Sequence, residues 1–139
     1  MAAVGTTPLS DGQYFGFISS ADPDHRTVTF DVAQWFGGED AKRASVADGH
    51  GSEVPNDYYI RNVNTYKRVV PVACGSVVTV IRCLAQCGTF SGTWTGFATA
   101  INTITQPPDL QARYRGKFGS YWLTVRNHDV VRIDEQFRP

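Results

Sequence analysis

Hydrophobic and polar residues alternate along much of this chain. Arg26-Thr27-Val28-Thr29-Phe30-Asp31-Val32 places Val28, Phe30 and Val32 on one face and Thr27, Thr29 and Asp31 on the other, the period of a half-buried strand. Gln13–Ile18 reads as a first strand, with Gly16 marking a bulge or a close approach of backbones. Between them Ala21-Asp22-Pro23-Asp24-His25 is dense in turn formers and predicts a hairpin loop. After a Val54-Pro55-Asn56-Asp57 turn, Tyr58 and Ile60 share one strand face and Tyr59 and Arg61 the other. Arg68–Val72 is strand-like, although Pro71 demotes it to an edge or a bulge. Val77–Ile81 is apolar on both faces, which predicts the most buried strand. Ser120–Arg126, a turn at Asn127-His128-Asp129 and a return through Val130–Glu135 form a closing hairpin.

Two stretches carry the helical period. Glu39 and Asp40 open a short helix whose small apolar face is Ala41, Ala44 and Ala47, with Glu39 and Arg43 as an i,i+4 pair and Gly49 as its stop. Gly88 to Gly96 is irregular, after which Trp94, Phe97, Ile101 and Ile104 form one helical stripe ended by Pro107-Pro108. Six or seven strands with one or two short helices predict a mainly β fold. The best fit is a small, partly open antiparallel β-barrel, OB-like, with a curved sheet carrying helices on one side as the alternative. Its core is expected to hold Phe17, Val28, Phe30, Ile60, Val78, Val80, Leu123 and Val125. Residues 1–10 read as a flexible tail and 11–139 as a single β-rich domain.

Composition narrows the function classes. Thirteen Lys and Arg balance thirteen Asp and Glu. Nucleic-acid binders usually carry a basic excess, because phosphate contacts dominate their affinity. No apolar run reaches the roughly 20 residues a membrane span needs. The first residues lack the basic and apolar regions of a secretory signal. Nothing resembles a nucleophile elbow, a P-loop, a dinucleotide fingerprint or a His-Glu-x-x-His zinc motif, and no cofactor is implied. Asp57, Asp134 and Glu135 remain as carboxylates for acid–base chemistry if the fold brings them together.

Three further groups bear chemistry. Tyr59, Arg61, Tyr66 and Arg68, with Lys67, form a basic-aromatic set suited to stacking and charge pairing, and Arg113–Phe118 forms another. Asp48, Glu53 and Asp57, with His50 and Asn56, crowd one glycine-containing loop that offers oxygens to a Ca²⁺ ion, although turn chemistry explains the same residues. Cys83 and Cys87 are a C-x₃-C pair. A disulfide between them or from Cys74 to one of them, a structural zinc, and free buried thiols all remain open. In one helical turn Cys83 and Cys87 would lie about 6 Å apart at Cα, within disulfide range.

The run Val54-Pro55-Asn56-Asp57-Tyr58-Tyr59-Ile60-Arg61-Asn62 resembles a family of mostly actinobacterial, usually secreted or lipid-anchored proteins with no established activity. Gly16-Phe17-Ile18 with Asp22, Arg26–Asp31, Gly38-Glu39-Asp40-Ala41 with Ala44, Asp48-Gly49 and Asn64 are similar to it as well. So are Trp122–Arg126 with Val130-Val131, Ile133 and Glu135–Pro139. The resemblance implies one intact domain in an extracellular or envelope setting, with the cytoplasm as the alternative. The expected function is a non-enzymatic binding or interaction module with an envelope polymer or a protein as partner. A single-stranded nucleic-acid binder is the first alternative, and a small carboxylate enzyme the second.

Overall fold

The computed structural model describes residues 4–5, 8–62 and 66–138. Strands β1 (Val4–Gly5), β2 (Gly12–Asp22) and β3 (Thr27–Gly37) are followed by helix α1 (Gly38–Ala47) and strand β4 (Tyr58–Arg61). Then come β5 (Lys67–Cys83), β6 (Cys87–Gly92), helix α2 (Trp94–Thr103), β7 (Tyr121–Arg126) and β8 (Asp129–Glu135). Five of these strands close on themselves in the order β2-β3-β5-β8-β7, with α2 between the third and fourth barrel strands. This is the OB-like barrel that the strand pattern predicts.

It departs from the expectation in two respects. The barrel is closed, and it is mixed, because β5 and β8 run parallel. The cause lies in β5. The two runs read as separate strands, Arg68–Val72 and Val77–Ile81, are one strand with a register break between Val72 and Val77. Gly75 sits in that break at φ +76, a conformation that costs glycine nothing. The first half of β5 pairs with β3 and the second with β8 and β6, so one bent strand serves both sides of the barrel.

Ile18, Val28, Phe30, Val78, Val80, Leu123, Val125 and Ile133 fill the interior. Helix α2 adds Trp94, Phe97 and Ile101, and Phe97 meets Tyr121 edge-on at 5.2 Å. The Thr93 side chain caps α2 by accepting from Gly96 N. Phe17 and Ile60, expected inside, are only half-buried. Gly16 takes the interior position on β2, and a Cβ there would lie 2.0 Å from the Asp31 carbonyl oxygen. Phe15 and Phe17 therefore face outward, opposite Ala33 and Asp31. Ile60 lies on β4, which pairs with β3 outside the barrel circuit.

Other differences are local. Val77 is 43% exposed. The stretch read as irregular contains β6, paired with Val78–Cys83. In α1, Glu39 pairs with Lys42 and Asp40 with Arg43, both i,i+3 pairs, in place of Glu39 with Arg43. Part of the expected tail is docked: Val4–Gly5 pairs with Lys67–Arg68, and Leu9 is buried in the core. Residues 1–3 and 6–7 of that tail, and Asn64 and Pro139 of the family-like segments, lie outside the described residues.

Candidate functional site

Outward positions on β7, β2 and β3 gather an aromatic cluster that the barrel interior does not use. Phe15 stands opposite Trp122 on one side and Ala33 on the other. Its ring lies 5.2 Å from Trp122, 5.4 Å from Trp35 and 6.0 Å from Phe17. Although outside the barrel, Phe15 is only 3% exposed. Tyr58 reaches over from β4 and stacks on Trp35 at 4.6 Å, with the planes 8° apart. Gln136 Oε1 accepts from Trp122 Nε1 at 2.8 Å and holds that indole in place. Between the two half-buried indoles runs a groove of about 280 Å³. Phe15 and Ala33 form its floor, Gln13 and Gln34 stand exposed at its rim, and none of its lining residues is charged.

The basic-aromatic set lies beside it, across β3. Arg61, Tyr66 and Arg68 line one concavity of about 280 Å³ with Leu9 and Gln34. The Arg68 guanidinium sits over the Tyr66 ring at 5.4 Å. Tyr59 does not line this concavity; its hydroxyl donates to Asp48 Oδ2 at 2.8 Å. Arg61 Nε donates to the same oxygen at 2.9 Å, and its guanidinium covers Phe36 at 5.0 Å. The bond from Arg61, followed by that from Tyr59, holds the Asp48 carboxyl below its ordinary range. The same bond to Asp48 pushes the Tyr59 phenol up. This network ties β4 to the end of α1, and its charges compensate one another.

The oxygen-rich loop does not gather its carboxylates. Asp48 is occupied by Tyr59 and Arg61, Glu53 faces a separate groove with Lys42 and Pro55, and Asp57 sits in the turn before β4. Asn56 and Asp57 have φ of 58 and 63, the left-handed turn geometry that short polar residues tolerate. Among the described residues, no three His, Cys, Asp or Glu side chains form a group able to hold a metal ion.

Asp134 and Glu135 do not form a carboxylate pair. Asp134 bonds Thr79 at 2.5 Å and Arg132 at 2.8 Å. Glu135, with its side chain 3% exposed, accepts from Arg115 at 2.8 Å and from Ile81 N at 3.0 Å. Burial pushes its carboxyl up, against the pull of those donors.

Cys83 and Cys87 form a disulfide, but across the β5–β6 hairpin, with Cα atoms 3.9 Å apart, and not along a helical turn. A loop this short limits the stabilisation to about 2 kcal/mol on the chain-entropy account. Cys74 is free and exposed.

Sequence reasoning therefore singled out the self-compensating network and passed over Phe15, Trp35 and Trp122. For the two tryptophans the signal was parity. Trp35 and Trp122 lie an odd step from Val32 and Leu123, which puts them on the outer face, whereas Phe15 shares its parity with Phe17, which the sequence places inside. No protein-family model, curated protein or solved structure matches the chain.

Proposed function

We propose that this protein is a non-enzymatic binding module that holds an extended envelope or extracellular glycan in the groove between Trp35 and Trp122. The carrying observation is the lining: two half-buried indoles, held from beneath by Phe15, for the apolar faces of sugar rings, Gln13 and Gln34 for hydroxyls, and no charge. OB-like barrels bind oligosaccharides as well as oligonucleotides on such sheet faces. The uncharged lining favours the former. The Cys83–Cys87 disulfide fits an oxidising compartment, in line with the secreted and lipid-anchored proteins that the sequence resembles. Single-stranded nucleic acid is the second reading, favoured by Arg61, Tyr66 and Arg68 in one concavity.

Calorimetric titration separates the two. Cellohexaose or chitohexaose is expected to bind with little dependence on salt. Oligo(dT) binding that weakens steeply as salt rises, with no binding of either hexasaccharide, would replace the glycan reading by the nucleic-acid one.

A further inference from the structure

The aromatic groove does not end at Gln34. Pairing between β2 and β3 stops at Phe15 and Ala33. Beyond that point residues 12–14 keep β7 as their neighbour and residues 34–37 take β4, so the sheet parts between them. Tyr14, Val32, Ala33 and Gln34 flank the parting, and these four line both the aromatic groove and the concavity of Arg61, Tyr66 and Arg68. The outer face of the sheet and the mouth of the barrel therefore meet there. Each groove alone holds about 280 Å³, just short of the roughly 300–1,000 Å³ of small-ligand sites, and joined they come within it.

The two halves differ in charge. No charged side chain lines the aromatic half. Arg61 and Arg68 line the other half, and no carboxylate does. Arg61 donates its Nε to Asp48, which belongs to neither lining. Arg68 stands opposite Phe30 and shares the parity of the buried Val70, so it leaves β5 toward the barrel mouth. It is half-buried there, with its guanidinium over the Tyr66 ring. A guanidinium so placed is less screened than an exposed one, and its planar fork matches a carboxylate.

We propose that the concavity is a subsite for an acidic sugar unit, next along the chain from the neutral unit held between Trp35 and Trp122; this rests on reading the aromatic groove as a glycan site. The ligand class is then an acidic polysaccharide in which uronate units adjoin neutral ones. Arg68 pairs with the uronate carboxylate, and the Gln34 amide, common to both halves, meets the junction between the two units. A wholly neutral glycan leaves the guanidinium half without a role. A polynucleotide carries a charge on every residue, which the uncharged aromatic half does not match.

The test uses the full chain and three probes: a hexasaccharide of alternating glucuronate and N-acetylglucosamine, its methyl ester, and oligo(dT). Tryptophan fluorescence reports the aromatic groove. At low salt the acid is expected to bind about tenfold tighter than the ester, the scale of one charge-assisted contact, and the gap should narrow as salt rises. Arg68→Gln should bring the two affinities within about twofold while leaving the ester's unchanged, and Arg68→Lys, which keeps the charge, should restore part of the preference. Equal affinity of acid and ester for the unaltered protein overturns the acidic subsite and leaves the aromatic groove standing. A full preference in Arg68→Gln overturns its placement in this concavity. Oligo(dT) binding tighter than the acid hexasaccharide replaces the proposal by the nucleic-acid reading. No fluorescence change with acid or ester overturns the subsite and the glycan reading together.

Discussion

Two clusters of aromatic and polar side chains flank β3, and they differ in what remains available to a ligand. On the α1 side Tyr59, Arg61 and Asp48 satisfy one another, and the Arg61 guanidinium is spread over Phe36. On the β2–β7 side Trp35 and Trp122 stand half-buried over Phe15, with the Gln13 and Gln34 amides exposed at the rim. The first cluster is the denser in chemistry per residue of sequence. Its groups are consumed in holding β4 against the helix. Availability, and not density, is why we propose the second as the site.

The largest expected effect that separates the two is on folding. Phe15→Ala removes a buried ring from beneath both indoles and should cost about 3–5 kcal/mol in urea unfolding, as for other buried phenylalanines. A cost below about 1 kcal/mol would mean that the outer cluster is not a packed unit.

Binding gives the next largest contrast. Trp122→Ala, at the wall of the groove, should weaken hexasaccharide binding about 30-fold or more, the scale of a central aromatic anchor. Arg61→Ala should leave that affinity within about twofold, since peripheral contacts are near-neutral. Its effect should appear as faster amide hydrogen exchange at Tyr59 and Ile60, where β4 loses its tie to α1. The reverse pattern would transfer the site to the arginine concavity.

The smallest effects are in pH, and two carboxyls should act with opposite sign. Asp48 is held below its ordinary value, so its contribution is present above that value and is lost as pH falls through the depressed one. Glu135 is raised by burial. The folded state then holds its proton more tightly than the unfolded chain, and stability falls as pH rises through the raised value. Urea midpoints across the acid range should show Asp48→Asn flattening the first dependence and Glu135→Gln the second. A Glu135→Gln variant with an unchanged slope on the rising side would contradict the burial argument.

The barrel was legible because it rests on local alternation. Val28 and Phe30 on β3, and Leu123 and Val125 on β7, declare their inward face from sequence and are fully buried. The helical stripe of Trp94, Phe97 and Ile101 was legible for the same reason. Closure was not, because it depends on the bend at Gly75 that lets one strand pair with β3 and β8, and a positive φ leaves no hydrophobic period to read. Nor was the site. Phe15 and Phe17 look like core residues until Gly16 is seen to hold the interior position under the Asp31 carbonyl. Trp35 and Trp122 are 87 positions apart and meet over Phe15 only through the pairing of three strands.

The three tryptophans offer the most direct test. Trp35 and Trp122 flank the groove, whereas Trp94 is buried on α2 with its Nε1 directed at the Pro23 carbonyl at 3.4 Å. In a ¹H–¹⁵N correlation spectrum each indole gives its own N–H signal, so Trp94 serves as an internal control. Titration with chitohexaose should shift the Trp35 and Trp122 signals together along one saturable curve and leave Trp94 in place. Shifts confined to the Arg61 and Arg68 side-chain N–H signals, with both groove indoles unmoved, would contradict the assignment of the site.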